Sequence, residues 1–498
     1  MWHAFHMIKS CEICNYFGIK SFIRIPLTGL TISMRVSVVG GGLAGIAASI
    51  ALCDSGHDVH LFEARKQLGG RVASVKHPRL GLQIDNCQHA AFRVYDCFLQ
   101  LLSRLDCRDI IRLQEKTILP FASPEKKIFS ALKTGKLSPP NHMIGSMMSF
   151  PFLSMRDKLA MRKVLKSFQK FSDEDQWDMD HISFKDWLVE QGQTERTISR
   201  FFGFFTLAAL NLEIEESSAA QGIMLFRRGL FGQKEAFNVG VFSQDIGAAM
   251  NQKIIPKLRE IGVNVHLSSN VRSVGENYLT VGDEKFEHDA VILATPQHLT
   301  KKLLTEKENE VISQLEKLEY RSLIGIHAFY RGNRIPKDFT FASIVDEPVI
   351  QILFNRSSEL SQPLAGGLQW LSVPVSCADS YLDWKDEKFI SELNRVLDAL
   401  WPDQSGCELV DSLVVKIPKA TFAPLPGSYQ NRPKPKVSEK IFLAGDFVQT
   451  GWPSTMEGAV RSGLMAAASL ENKKWNNQST WPDWPKPPQI GDEGWGVY

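Results

Sequence analysis

Gly40-Gly41-Gly42-Leu43-Ala44-Gly45 carries glycine at its first, third and sixth positions, and the acid Glu63 stands about twenty residues past the first glycine. That spacing suits a dinucleotide. The glycines let the backbone turn tightly and come close to a pyrophosphate. A helix opening at Leu43 and Ala44 would offer phosphate its unpaired N–H groups and positive dipole end. Glu63 can accept hydrogen bonds from a ribose. A second cluster, Gly69-Gly70-Arg71, permits another close backbone approach and adds a fixed positive charge for phosphate. A third lies far along the chain, where Asp446 follows Gly445 and Ser454 stands three residues before Glu457. Ser454 and Glu457 read as an S-x-x-E capping box, so a helix should start there. Its N-terminus would favour an anion.

Local pattern supplies the elements that hold these residues. Residues 35–39 are a short β-branched strand, 46–52 an apolar helix that can end at Gly56, and 59–62 a second strand. Residues 245–261 read as a helix, 263–267 as a strand, and 289–296 as a buried strand ending in a turn. Residues 96–239 are mostly helix-like. Residues 301–435 alternate more, with strands at 323–330 and 349–354, a helix at 387–401 and a proline-rich connection at 418–426. Four phenylalanines at 201, 202, 204 and 205 cannot share one helix face. Either some of them, Phe204 and Phe205 among them, line a cavity, or the helix is buried all round.

With 498 residues, the chain is long for one simple domain and comfortable for two. Lys and Arg total 57 against 55 Asp and Glu, a net charge of +2, which gives no reason to expect nucleic acid. Eight cysteines are no disulfide framework; reduced thiols and a cytoplasmic location are expected. Cys11 and Cys14 form a lone C-x-x-C without partners at ligand spacing, so no metal site is expected. The longest uncharged run, 137–155, holds three prolines and several serines and does not read as a membrane span. Its soft stretch 143–150 could face a membrane, wall a lipid tunnel or be ordinary core. Residues 1–33 read as an extension, with Met34 directly before the first strand, and 473–498 as a Trp- and Pro-rich disordered tail.

The run Glu63-Ala64-Arg65-Lys66-Gln67-Leu68-Gly69-Gly70-Arg71 resembles the E-A-x-x-x-x-G-G-R signature of the flavin amine oxidase and phytoene desaturase superfamily. Residues 441–459, with Gly445, Asp446, Thr455, Met456 and Glu457, resemble its C-terminal flavin motif. The resemblance implies FAD. It also implies an amine oxidase-like α/β architecture: a Rossmann-like FAD domain split over 34–95, 240–300 and 436–472, and an α+β substrate domain at 96–239 and 301–435. Val271 falls where the superfamily's backbone meets the adenine. Asp446 would reach toward the ribityl or pyrophosphate region, and the helix after Ser454 would point at the pyrimidine edge of the isoalloxazine.

Asp85-Asn86-Cys87-Gln88-His89, with Ala209-Leu210-Asn211 and Ser217-Ser218, looks like hydroxysqualene dehydroxylase, the squalene-associated FAD-dependent desaturase. That family usually has glycine where Cys87 stands. The resemblance implies reductive loss of a hydroxyl from hydroxysqualene to give squalene, in squalene and hopanoid synthesis. It places Gln88 and His89 against the flavin, with His89 as the acid because an unperturbed imidazole suits proton donation near neutrality. Phe204, Phe205 and Asn211 become substrate contacts. NADPH becomes the electron source, and a triterpene substrate implies peripheral association with the cytoplasmic membrane face. Two alternatives share the fold: a polyene desaturase or amine oxidase working oxidatively, and a prenyl-lipid carrier of the Rab dissociation-inhibitor type. No aromatic cage or flavin-side lysine marks an amine oxidase here, and the intact Gly69-Gly70-Arg71 and Gly445-Asp446 argue against a flavin-free carrier.

Overall fold

In the computed structural model, which describes residues 33–475, 481, 484 and 496–497, the chain opens with β1 (Arg35–Val39), α1 (Leu43–Asp54), β2 (Asp58–Phe62) and α2 (Asp96–Arg104). It continues through β3 (Ile118–Ser123), β4 (Ile128–Lys133), α3 (Ile144–Ser149), α4 (Met155–Phe168) and α5 (Phe204–Leu210). Then come β5 (Asn264–His266), β6 (Ala290–Leu293), β7 (Tyr320–Arg331), β8 (Phe341–Ile344) and β9 (Ile352–Asn355). The last elements used below are β10 (Leu368–Ser376), β11 (Glu408–Phe422), β12 (Ile441–Leu443) and α6 (Met456–Leu470).

Five strands far apart in sequence form one parallel sheet in the order β5-β2-β1-β6-β12. β6 is buried at every residue, as a parallel strand covered on both faces must be, which is why Ala-Val-Ile-Leu is apolar without alternation. α1 is buried along Leu43–Leu52 and apolar all round, because it has neighbours on both sides: the sheet and α6. The two helices meet where α6 has no side chain. A Cβ on Gly463 would lie 2.1 Å from the Ala44 carbonyl oxygen.

A second, seven-stranded sheet runs β11-β7-β10-β9-β8-β3-β4, antiparallel except where β8 meets β3. Against it sits an aromatic helical core in which Phe201, Phe202 and Phe205 are buried with Phe121, Phe168 and Phe226.

The segment 96–239 is mostly helical, with strands at 111–113, 118–123 and 128–133 inside it and 239–242 at its end that the residue pattern does not reveal. Pro120 masks β3 in the sequence, because proline argues against a strand wherever its missing N–H would be needed. Two expectations are corrected. The stretch 418–426 is not simply a connection, since β11 runs on to Phe422. β11 lies at the sheet edge, and its register with β7 jumps from Thr421 to Ile417 opposite Arg321 and Leu323. This bulge is what accommodates Pro418. The tail is also partly built in. Trp481 exchanges backbone hydrogen bonds of 2.8 Å with the Gln100 side chain on α2, and Trp484 Nε1 donates to Asp54 at 2.8 Å. Both indoles belong to the core, and Gly496–Val497 pairs with Arg112–Leu113. Residues 476–480, 482–483, 485–495 and 498 of the tail, the extension through residue 32 and the Cys11/Cys14 pair lie outside the described residues.

The α1–α6 contact makes a clear demand. Gly463→Ala should lower the melting temperature, by an overpacking penalty of about 1–3 kcal/mol, and Gly463→Val by more. Unchanged melting of both variants would show that the helices do not meet this closely.

Candidate flavin site

The glycine loop leaves β1 and enters α1 through positions that admit no side chain. Gly40 has φ +110°, and a Cβ there would meet the Ala294 carbonyl oxygen at 2.6 Å; one on Gly45 would lie 1.9 Å from the Gly40 oxygen. α1 begins after Gly42 with no side-chain cap and no acid in its first turn, so among the described residues no side chain caps the N–H end at Leu43 and Ala44. Glu63, at the end of β2, is buried and accepts N–H groups of Gly41 and Arg65 at 2.8 Å each. Its carbonyl takes the Ser269 N–H at 2.8 Å, and that of Arg65 takes Ser268 at 2.9 Å. Thus Ala64, Arg65 and Val271, at the start of the strand Val271–Val274, are held side by side.

The second glycine cluster folds down onto the first. Gly69 N–H donates to the Gly41 carbonyl at 2.8 Å, Gly42 and Gly69 form a bridge, and a Cβ on Gly70 would stand 3.2 Å from Gly42 Cα. Arg71 then spans to the chain's far end. It pairs with Asp446 and donates to the Ala420 carbonyl at 2.8 Å. That carbonyl lies within the bulged stretch of β11. Ser454 donates its hydroxyl to the same Asp446. Burial alone would raise the Asp446 carboxyl, but the Arg71 guanidinium and Ser454 outweigh it and hold it below the ordinary carboxylate range. Asp446 therefore serves Arg71, and Arg71 is neutralised by it rather than left as a free charge for phosphate.

The capping box is corrected as well. Thr455 is the N-cap of α6, its Oγ1 accepting Gly458 N–H at 3.1 Å. Glu457 is fully buried and faces elsewhere. It accepts the Cys97 and Phe98 N–H groups at 3.2 and 2.8 Å, capping α2, and pairs with Arg461 at 2.6 Å. Met456 is buried in the core. Gly445, with φ +147°, ends β12 and donates to Ser462 on α6 at 2.7 Å.

Residues 85–89 lie against β7. The close approach there belongs to Gly325, where a Cβ would meet the Asn86 carbonyl at 2.6 Å and Cys87 Cα at 3.0 Å, so Cys87 can carry its side chain. Burial pushes its thiol up to about 12, which keeps it protonated. The residues that hold this stretch were not found in the sequence. Arg356, almost wholly buried, reaches Asp85 at 3.4 Å, Glu359 at 3.1 Å and the Gln244 carbonyl at 2.9 Å. Gln88 donates to Glu359 at 2.9 Å. Burial pushes the Glu359 carboxyl up to about 7 despite Arg356. Its other oxygen, like His89 Nδ1, is buried without a partner among the described residues. His89 itself is pulled down by burial, although Asp85 opposes the shift. A lowered imidazole weighs against the acid role expected for His89.

The expected substrate contacts divide. Phe204 is half-buried and Phe205 buried, both ringed against Phe121. Asn211 is a structural node. It caps α5 at φ 53°, donates to the Ser322 carbonyl and Thr421 Oγ1 at 3.1 and 2.8 Å, and accepts Cys377 N–H at 2.7 Å. Its amide is committed on both sides. Among the described residues no cluster could hold a metal.

Residues 43–470 match the family model described as flavin containing amine oxidoreductase. The chain belongs to that family. 15-cis-Phytoene desaturase of Glycine max is 24% identical over 459 residues, 88% of this chain and 79% of that protein. Zeta-carotene desaturase of Zea mays is 25% identical over 480 residues, 88% of this chain and 83% of that one. In fold, the chain is similar to an oxidoreductase from Methanosarcina mazei (TM-score 0.67, 16% identity, 88% and 100% of the two chains). Cyclohexylamine oxidase from Brevibacterium oxydans follows at 0.62, 15%, 88% and 99%. The protein is thus a flavin-dependent oxidoreductase with the amine oxidase-like fold. The glycine cradle and uncapped α1 fit FAD, with the pyrophosphate at the N-terminus of α1 and the ribose at Glu63.

The Glu359 shift has a definite sign. Between its ordinary 4.5 and about 7, the folded protein keeps a proton that the unfolded chain has released. Stability therefore falls as pH rises through that window and levels off above it, by about 1.4 kcal/mol per unit of displacement. Glu359→Gln should remove this contribution and flatten the melting-temperature profile between pH 5 and 7 relative to wild type. Superimposable profiles would place Glu359 at an ordinary ionisation.

Proposed function

We propose that this flavoenzyme removes the hydroxyl of hydroxysqualene reductively, giving squalene. The observation that carries the reading is the Asp85–His89 stretch. Its D-N-x-Q-H pattern matches the dehydroxylase family, and here Asp85 and Gln88 join Arg356 and Glu359 in one buried acid–base network. The phytoene and zeta-carotene desaturases among its relatives support a long hydrocarbon substrate.

In this reaction the carbon–oxygen bond breaks, the hydroxyl leaves with a proton as water, and a carbon–hydrogen bond replaces it. The glycine loop at Gly40–Gly45, Glu63 and Gly69–Gly70 would hold FAD, which when bound and reduced would supply the hydride, with NADPH proposed as the source of the two electrons, directly or through another flavoprotein. Glu359 is the proton source, because it is the carboxyl of the network that retains a proton near neutrality. Gln88 fixes the orientation of that carboxyl through its amide N–H. Arg356 stays paired whether or not Glu359 is charged, since Asp85 and backbone carbonyls hold it. Phe204, half-buried beside the buried Phe205, offers apolar surface that suits a hydrocarbon chain.

The same relatives favour a second reading, oxidative desaturation of a polyene. Anaerobic incubation of flavin-replete protein separates the two. With hydroxysqualene and a chemical reductant, squalene should form, and Glu359→Gln should slow it about 10²-fold or more. No squalene, together with bleaching of the oxidised flavin by phytoene, would establish the desaturase instead.

A further inference from the structure

Among the described residues, eight of the eleven most exposed large apolar side chains fall between residues 118 and 159. Leu137, Leu159 and Met155 are more than half exposed, and Phe129, Met148 and Ile144 only slightly less. Singly exposed apolar residues are unremarkable, but their concentration in one short stretch calls for an explanation. The elements that carry them are fastened together. β4 is the outer strand of the seven-stranded sheet. Ser146 of α3 accepts the Lys133 N–H and donates to the Lys133 carbonyl, both at 2.8 Å. Lys158 of α4 donates to the Met148 carbonyl at 2.8 Å, tying α4 to α3. From beneath, Met143, Phe150 and Phe152 anchor the segment in the aromatic core.

Charge follows the same segment. Residues 116–170 hold eleven Lys and Arg against two Asp and Glu, in a chain whose net charge is only +2. Of the two acids, Asp157 is buried in the capping box of α4. The exposed face of α4 begins with Met155 and Leu159 and continues with Arg162 and Lys166, and Lys170 follows just past its end. Apolar tips ringed by lysine suit a lipid surface: the hydrocarbon enters the acyl boundary, and the long basic side chains stay at the headgroups. Protein–protein interface cores, by contrast, are depleted in lysine. No helix among the described residues is long and apolar enough to cross a membrane.

We infer that the β4–α3–α4 face is a docking surface for an anionic lipid bilayer, on which the protein sits without spanning it. The inference rests on this surface alone. A hydrocarbon substrate dissolved in the bilayer would give it a use, but its test is independent of any activity.

The test is flotation of the full-length protein with phosphatidylcholine vesicles, with and without phosphatidylglycerol. Wild type should float with the anionic vesicles and be released by added salt. The triple variant Leu137→Glu, Met148→Glu, Leu159→Glu should bind at least about tenfold more weakly, and so should Lys136→Glu, Arg162→Glu, Lys166→Glu. Tyr278→Glu with Leu299→Glu, which alters exposed apolar residues elsewhere, should bind like wild type. Melting curves and sedimentation establish that each variant is folded and report its oligomeric state. Three outcomes would overturn the inference: no vesicle binding by wild type, binding indifferent to lipid charge and to both triple variants, or a wild-type dimer that the first triple variant converts to monomer.

Discussion

The contact of Gly463 with the Ala44 carbonyl brings the C-terminal helix α6 onto α1, and so joins the two ends of the chain. The rest of the flavin site depends on it. With α6 in place, Asp446 at the end of β12 lies where Arg71 can reach it, and Ser454 completes the pair. The same seating lets Glu457 cap α2 and so fixes the first helix beyond residue 95. A side chain at Gly463 would therefore disturb elements hundreds of residues apart in sequence.

A second constraint lies deeper. Arg356 is an almost wholly buried cation, which is tolerable only if its charge is compensated. Asp85, Glu359 and two backbone carbonyls pair it, and through Gln88 this network fixes the stretch that carries the dehydroxylase-like pattern. Burial, not Arg356, raises the Glu359 carboxyl to about 7; the guanidinium and the Gln88 amide pull the other way. The buried cation therefore positions the stretch, while the displaced titration of Glu359 comes from its removal from water.

What could be read from the sequence depended on how local its cause was. Gly40, Gly45, Gly69 and Gly70 were legible from their spacing; the steric demand is local at Gly45 and Gly69, whereas at Gly40 and Gly70 it is set by Ala294 and Gly42. The parallel strands β6 and β12 were legible as unbroken apolar runs, and β1 and β2 from their β-branched and apolar residues on either side of the glycine loop and helix. Glu457 was visible but misassigned: S-x-x-E is a local pattern, whereas its partners are the amides of Cys97 and Phe98, about 360 positions away. Asn211 shows the same failure, since its bonds to Ser322, Thr421 and Cys377 are all tertiary. Arg356 and Glu359 gave no signal at all, because an R-x-x-E spacing is ordinary until Asp85 and Gln88 are brought to it. Prolines 120 and 418 hid strands: Pro418 is accommodated by the edge position and bulge of β11, and Pro120 lies outside the two residues of β3 that pair with β8. The tail reads as disordered by composition, yet Trp481 and Trp484 find their pocket on α2 and α1 through Gln100 and Asp54.

The central claim is that segments from both ends of the chain close a single cradle for FAD. Spectroscopy of the purified protein, followed by denaturation and identification of any released chromophore, tests it most directly. The account predicts a yellow protein that releases FAD in near-stoichiometric amount. A folded protein that stays colourless after incubation with excess FAD, its melting temperature unmoved by the cofactor, would contradict it.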